Sequence, residues 1–284
     1  MRSTISVITT GRDPAIETVD ARLTAIAFGS QPGLWPLPAA RTPQQLWLRA
    51  VAAAGQGRYG SARADLAALL RGRPPGRLAS LAHSAQGSFL RQLGWHQVAR
   101  RWDGRALALA GTDPEATGDA LIGLAADALG VGRFAVAGTL LSRAGSILTA
   151  FEGSPEPALR LAVRLEWVTA ELAMAVGDGA AAVGHAQRAV EAARTGFASV
   201  RHRVKSQAIL AAALCGSGTL DRARVIADAA LDACGRLGLI PLRWALACLL
   251  IDIESSRYPT QYLCTIRDGC VQQVRRGGGT WYGR

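Results

Sequence analysis

The chain runs to 284 residues, of which 49% are hydrophobic and 6% aromatic, enough for one large or two ordinary domains. Alanine and leucine dominate, no run of alternating Val, Ile, Thr or Tyr is long enough for a sheet, and the longest apolar stretch, 244–251, falls far short of a membrane span. The net charge is +11, carried almost wholly by arginine because Lys205 is the only lysine; a field of that sign attracts anionic partners, although a solvated basic surface is the plainer reading.

Residues 1–11 hold one arginine and a short, mildly apolar segment at 5–10, too short for the core of a secretory signal, so the chain is expected to be soluble and cytoplasmic. Residues 13–28 read as a first helix, with Asp13 as N-cap and Pro14 at the first helical position. Three prolines and two glycines then make 29–42 a linker, expected to pack Trp35 on the following hairpin. From Thr42-Pro43 onward, helix hairpins are expected at 43–72, 77–110, 114–151, 157–195 and 198–237, with Asp113-Pro114 and Ser154-Pro155 as helix starts. A helix at 241–256 follows as a cap on the last exposed apolar face. The organisation expected is therefore a leading helix and linker (1–42), a helical array (43–256) and a tail (257–284).

Within the array one register of small residues recurs. It reads Gly57/Tyr59/Ala62, Gly94/His96/Ala99, Gly132/Phe134/Ala137, Gly177/Gly179/Ala182 and Gly218/Leu220/Ala223, with the glycines 37, 38, 45 and 41 residues apart. Each glycine ends one helix in the left-handed conformation, and each alanine lets the next helix approach closely. Bulky residues at Tyr59, Phe134 and Leu220 are expected to plug the gaps between hairpins. Small residues also lie seven before every glycine: Ala50, Gly87, Ala125, Ala170 and Ala211. A hairpin cannot bury its apolar face alone, so a fixed period of this size implies stacking.

This register resembles the tetratricopeptide repeat over residues 43–237, and Pro74, seventeen after Gly57, stands where that family often places its closing proline. The spacings exceed the family's 34-residue unit, as in the degenerate repeats of bacterial regulators and scaffolds. The fold expected is all-α: a right-handed α-solenoid of about five stacked hairpins, with an alanine-rich helical bundle as the plain alternative. The resemblance places a binding groove on exposed positions of each first helix. Carried over, these are Gln44 and Trp47, then Ser84, Ser88 and Arg91, then Asp119 and Ile122, then Arg164, Trp167, Glu171 and Lys205. The paired lysines and asparagines with which some members clamp a C-terminal carboxylate are missing, since Trp47 and Val51 occupy two such positions. A groove bearing Trp47, Arg91, Arg164, Trp167 and Lys205 suits a peptide with acidic and apolar residues. Trp47 and Trp167 are equally readable as core.

Other features carry less. The chain has no GxSxG, Walker loop, dinucleotide fingerprint or HExxH, so no catalytic residues and no cofactor are expected. The five cysteines, all after residue 214, are odd in number and lack the close spacing of a zinc site, and only Cys264 and Cys270 suggest redox behaviour. The tail carries five arginines against one aspartate. It reads either as a short helix packed on the last hairpin or as a basic, aromatic arm in which Arg267, Arg275, Arg276, Trp281 and Arg284 dock on a partner or nucleic acid. Two function classes follow. The first is a non-catalytic interaction scaffold or regulator holding a partner segment in its groove. The second is a nucleic-acid-associated protein using the clusters Arg71/Arg73/Arg77, Arg91/Arg100/Arg101/Arg105 and Arg201/Arg203/Lys205, without a recognition motif for sequence reading.

Overall fold

Proline and capping residues set the helix starts. Thr42 accepts from the Gln45 N–H at 3.2 Å while Gln45 Oε1 accepts from the Thr42 N–H at 3.3 Å, a reciprocal box that opens α2 (Pro43–Gly55). Asp113 caps α6 (Pro114–Gly130) through the Ala116 N–H at 2.8 Å, and Ser199 caps α10 (Val200–Gly216). The computed structural model describes residues 14–151, 155–195 and 199–283, so the segment 1–11, Asp13, Ser154 and Arg284 lie outside the described residues. Among the described residues there are thirteen helices and no strand.

After α1 (Pro14–Phe28) and the linker, α2 pairs with α3 (Tyr59–Arg71), α4 (Gly76–Gln92) with α5 (His96–Leu109), and α6 with α7 (Phe134–Thr149). Then α8 (Pro155–Ala175) pairs with α9 (Gly179–Thr195), and α10 with α11 (Leu220–Leu237). The first helices of successive pairs also touch one another in order, α2 to α4 to α6 to α8 to α10, which is the arrangement of a helical solenoid. The junction glycines Gly57, Gly94, Gly132, Gly177 and Gly218 have φ of 76°, 87°, 75°, 83° and 80°, a region closed to most side chains. Ala62, Ala99, Ala137, Ala182 and Ala223 are all fully buried, as are the small residues Ala50, Ala125, Ala170 and Ala211 on the first helices. No helix among the described residues is long and apolar enough to cross a membrane.

Of the three expected plugs, only Tyr59 is buried. It meets Phe89 edge-on at 6.0 Å and donates from its hydroxyl to Gln92 at 3.1 Å. Phe134 and Leu220 each remain 38% exposed, because nothing is laid over their junctions. Trp35 is likewise partly exposed at 42%, and the Arg58 guanidinium sits 3.7 Å above its ring.

The larger departure lies at the C-terminus. The expected cap ends early, as α12 (Ile240–Asp252), and α13 (Thr260–Arg276) pairs with it. Residues 277–283 then run as a strap across the first two hairpins. Gly60 N donates to Gly277 O at 2.7 Å, Trp95 Nε1 to Thr280 O at 2.7 Å, and Tyr282 N to Leu93 O at 2.8 Å. Trp281 is buried against Trp244 at 4.2 Å, and both Trp281 and Val274 belong to the core built by α1–α4. A docking arm centred on Trp281 is therefore corrected: its indole is core, and burial of so large an apolar surface outweighs its exposure to a partner. Arg275 and Arg276 stay exposed, and Arg267 pairs with its neighbour Asp268. Ile240 and Trp244 contact both the N-terminal and the C-terminal core, so the solenoid is closed end to end. The redox expectation for Cys270 also falls, since it is buried and burial pushes its thiol up to about 11.

Candidate functional site

Closing the solenoid turns its inner face into a cavity of about 550 Å³, within the ~300–1,000 Å³ range of ligand pockets. Each of α2, α4, α6, α8, α10 and α12 contributes to the wall, and Phe28, at the end of α1, completes it. Of the eleven positions expected to form the groove, ten are in this wall: Trp47, Ser84, Ser88, Arg91, Asp119, Ile122, Arg164, Trp167, Glu171 and Lys205. Gln44 is not, and Val51 joins them. A wider open cleft of about 900 Å³ between the linker and the end of α11 has no aromatic wall.

One end of the cavity is aromatic. Trp167 and His202 stack at 5.1 Å with 23° between their planes, Phe28 lies 6.3 Å from His202, and Trp47 lies 5.4 Å from Phe28. Trp167 is only 6% exposed and donates from Nε1 to Ser206 Oγ at 2.8 Å. The choice between core and groove for Trp47 and Trp167 is thus a false one: each is 6% exposed and each also lines the cavity.

Beside this apolar lining the wall carries charge. Arg91 donates to Asp103 at 2.8 Å and also to Asp127. Arg160 donates to Glu115 at 2.6 Å and to Asp119 at 3.2 Å, and Arg164 shares Asp119. These three guanidiniums are neutralised from behind. Arg201 and Lys205 are not. Arg201 reaches over Gly55 and donates to Val51 O at 3.3 Å, while the Lys205 ammonium rests 4.9 Å from the Trp167 ring centre. Neither forms an ion pair with a carboxylate among the described residues. Burial, then Arg160, pushes Arg201 down to about 10, and burial lowers Lys205 against the pull of Glu171. His202 is lowered well below the usual imidazole value by burial and by Arg201, so it is neutral at physiological pH.

No protein-family model matches the chain, and no curated protein is significantly similar to it. The cavity itself therefore carries the functional argument. The Ser199–His202 contact of 2.8 Å is a buried helix cap, with Ser199 wholly inaccessible, and no three His, Cys, Asp or Glu among the described residues gather as a metal site.

Sequence reasoning missed Phe28, Arg160, Arg201 and His202 as wall residues. Arg201 is one helical turn before Lys205, and Arg160 one turn before Arg164, so extending the groove stripe by a turn on each helix finds both. Nothing in the local sequence signals that Leu239, Pro241 and Trp244 return to close the cavity.

Proposed function

We propose that this is a non-catalytic interaction protein, soluble and cytoplasmic, of the tetratricopeptide-like kind, which holds an acidic and apolar segment of a partner protein in its inner cavity. The observation that supports it is the convergence of ten expected groove residues, from the first helices of all five pairs, on one wall that mixes tryptophan side chains with cations. Such side chains anchor most protein interfaces.

The test is a selection from a random peptide library on the full chain. Enriched peptides should combine Asp or Glu with bulky apolar residues. Ser88→Trp, which fills the cavity from its wall, should abolish their binding with helicity unchanged. No enrichment, or binding indifferent to Ser88→Trp, overturns the reading. The nucleic-acid alternative rests on the +11 charge, but Arg91, Arg201 and Lys205 from its three clusters face inward and Arg77 pairs with Asp113 and Glu115.

A further inference from the structure

The charges of the cavity do not cancel evenly around its wall. Carboxylates from α5 and α6 neutralise Arg91, Arg160 and Arg164, leaving the uncompensated positive charge on α10, beside the stacked Trp167 and His202. A buried cation without an ion-pair partner is costly, so a chain that keeps Arg201 and Lys205 facing one void, with only Glu171 drawing on the lysine, retains a place for an anion. The pairing already present sets how much negative charge fits. Asp119 is taken up by Arg160 and Arg164, and Glu171 offsets part of the Lys205 charge. The unmatched charge is therefore nearer one than two, and a single carboxylate matches it better than a dianion such as a phosphate monoester. The body of the ligand is set by the remaining wall, where Phe28, Trp47, Leu81, Ile122 and Val168 are apolar.

We propose that Arg201 and Lys205 form an anion seat for a carboxylate, carried on the partner segment next to an aromatic or branched apolar side chain that enters the box of Phe28, Trp47, Trp167 and His202. The guanidinium offers a planar fork that matches a carboxylate, and the ammonium, one helical turn further along α10, adds a point charge. The inference rests on reading the cavity as the partner site, and it assigns that partner's recognition chemistry: one carboxylate and one apolar side chain, adjacent.

The seat is tested with small probes that need no knowledge of the partner. The full chain is titrated with N-acetylphenylalanine, which keeps the carboxylate, and with N-acetylphenylalaninamide, which does not, following the indole signals of Trp47 and Trp167 by NMR. Saturable shifts are expected with the acid and none with the amide, and phenyl phosphate should bind more weakly than the acid. Arg201→Gln should weaken the acid about tenfold, as losing one charge-assisted contact does, with Arg201→Lys intermediate and the exposed Arg203→Gln unchanged. Equal response to acid and amide, stronger binding of the phosphate, or indifference to Arg201→Gln overturns the seat. The acid–amide comparison stands even where a variant fails to fold. Failure of the seat with peptides still captured leaves the partner-groove reading intact, whereas binding of the acid with no peptide captured leaves the seat and removes that reading.

Discussion

At the scale of single residues, a tight arrangement surrounds the carboxylate of Asp103, wholly buried between two helices that make room for it with glycine. A Cβ at Gly87 would sit 2.4 Å from Asp103 Oδ2, and one at Gly123 would sit 2.4 Å from Oδ1. The side chain is pinched from both sides and held by Arg91, so it cannot swing away. Gly87→Ala should therefore cost ~1–3 kcal/mol by overpacking, read as a drop in urea midpoint; an unchanged midpoint would show that α4 and α5 slide apart freely. The same carboxylate sets a pH dependence. Burial raises the Asp103 pKa to about 7, with Arg91 opposing and Asp127 reinforcing, whereas a free aspartate titrates near ~3.9. The folded chain thus holds this proton more tightly than the unfolded chain. The stability it contributes is full below about pH 4 and is lost as pH rises towards 7. Asp103→Asn keeps the shape and removes the titration. Between those limits the stability of the wild-type chain should therefore fall relative to the variant's, and parallel pH profiles would refute the assignment.

At the scale of elements, the strap and α13 are structural parts of the fold. Trp281→Ala empties a site shared with Trp244 and should cost ~3–5 kcal/mol, whereas Phe134→Ala, at a partly exposed junction, should fall within ~0.5 kcal/mol. Thermal melts of both variants check this, and a Trp281→Ala protein as stable as wild type would mean that the strap lies loose. Removing residues 257–284 should yield an aggregating chain, because it uncovers α12 and strips Val274 and Trp281 from the N-terminal core. How much of this was legible follows from the range of each interaction. Helix ends, junction glycines and buried alanines are local, and the period of about forty residues announces them; Ala62 and Ala223 are buried for the reason their spacing implies. The strap is different. Gly277 meets Gly57, and Trp95 meets Thr280, across more than 180 residues of chain, so no local pattern foretells them. The arginine-rich composition of 257–284 suggested a free arm, while the packing depends on the few apolar residues Leu263, Ile266, Val274 and Trp281. The groove residues on the first helices were legible through the resemblance, which implies which positions of each first helix face inward. Arg201 and His202, by contrast, read as ordinary surface until the neighbouring pairs bend into a closed array.

At the scale of the whole molecule, the distribution of charge bears on the two function classes more closely than its sum. The net charge is +11, yet Arg91, Arg160, Arg164, Arg201 and Lys205 all face the cavity, and the first three are paired there. A double helix is too wide to enter a void of about 550 Å³, so these cations are lost to a duplex backbone. What remains outside is scattered. Arg49, Arg77, Arg194, Arg224 and Arg257 each meet a carboxylate, leaving short exposed runs such as Arg100/Arg101 and Arg275/Arg276. Each phosphate contact contributes ~0.9 to the slope of log affinity against log salt on duplex DNA. A surface of isolated pairs should give a slope of only a few units and weak binding at physiological salt. Titration of the full chain against labelled duplex DNA and structured RNA at two salt concentrations measures both quantities. The cavity variant Arg201→Gln should leave that weak binding unchanged, because the residue faces inward, while Arg275→Ala with Arg276→Ala should reduce the slope. Tight binding with a steep slope, or a strong loss on Arg201→Gln, would mean that the array opens to expose its inner face and that nucleic acid, not a protein segment, is what the molecule holds.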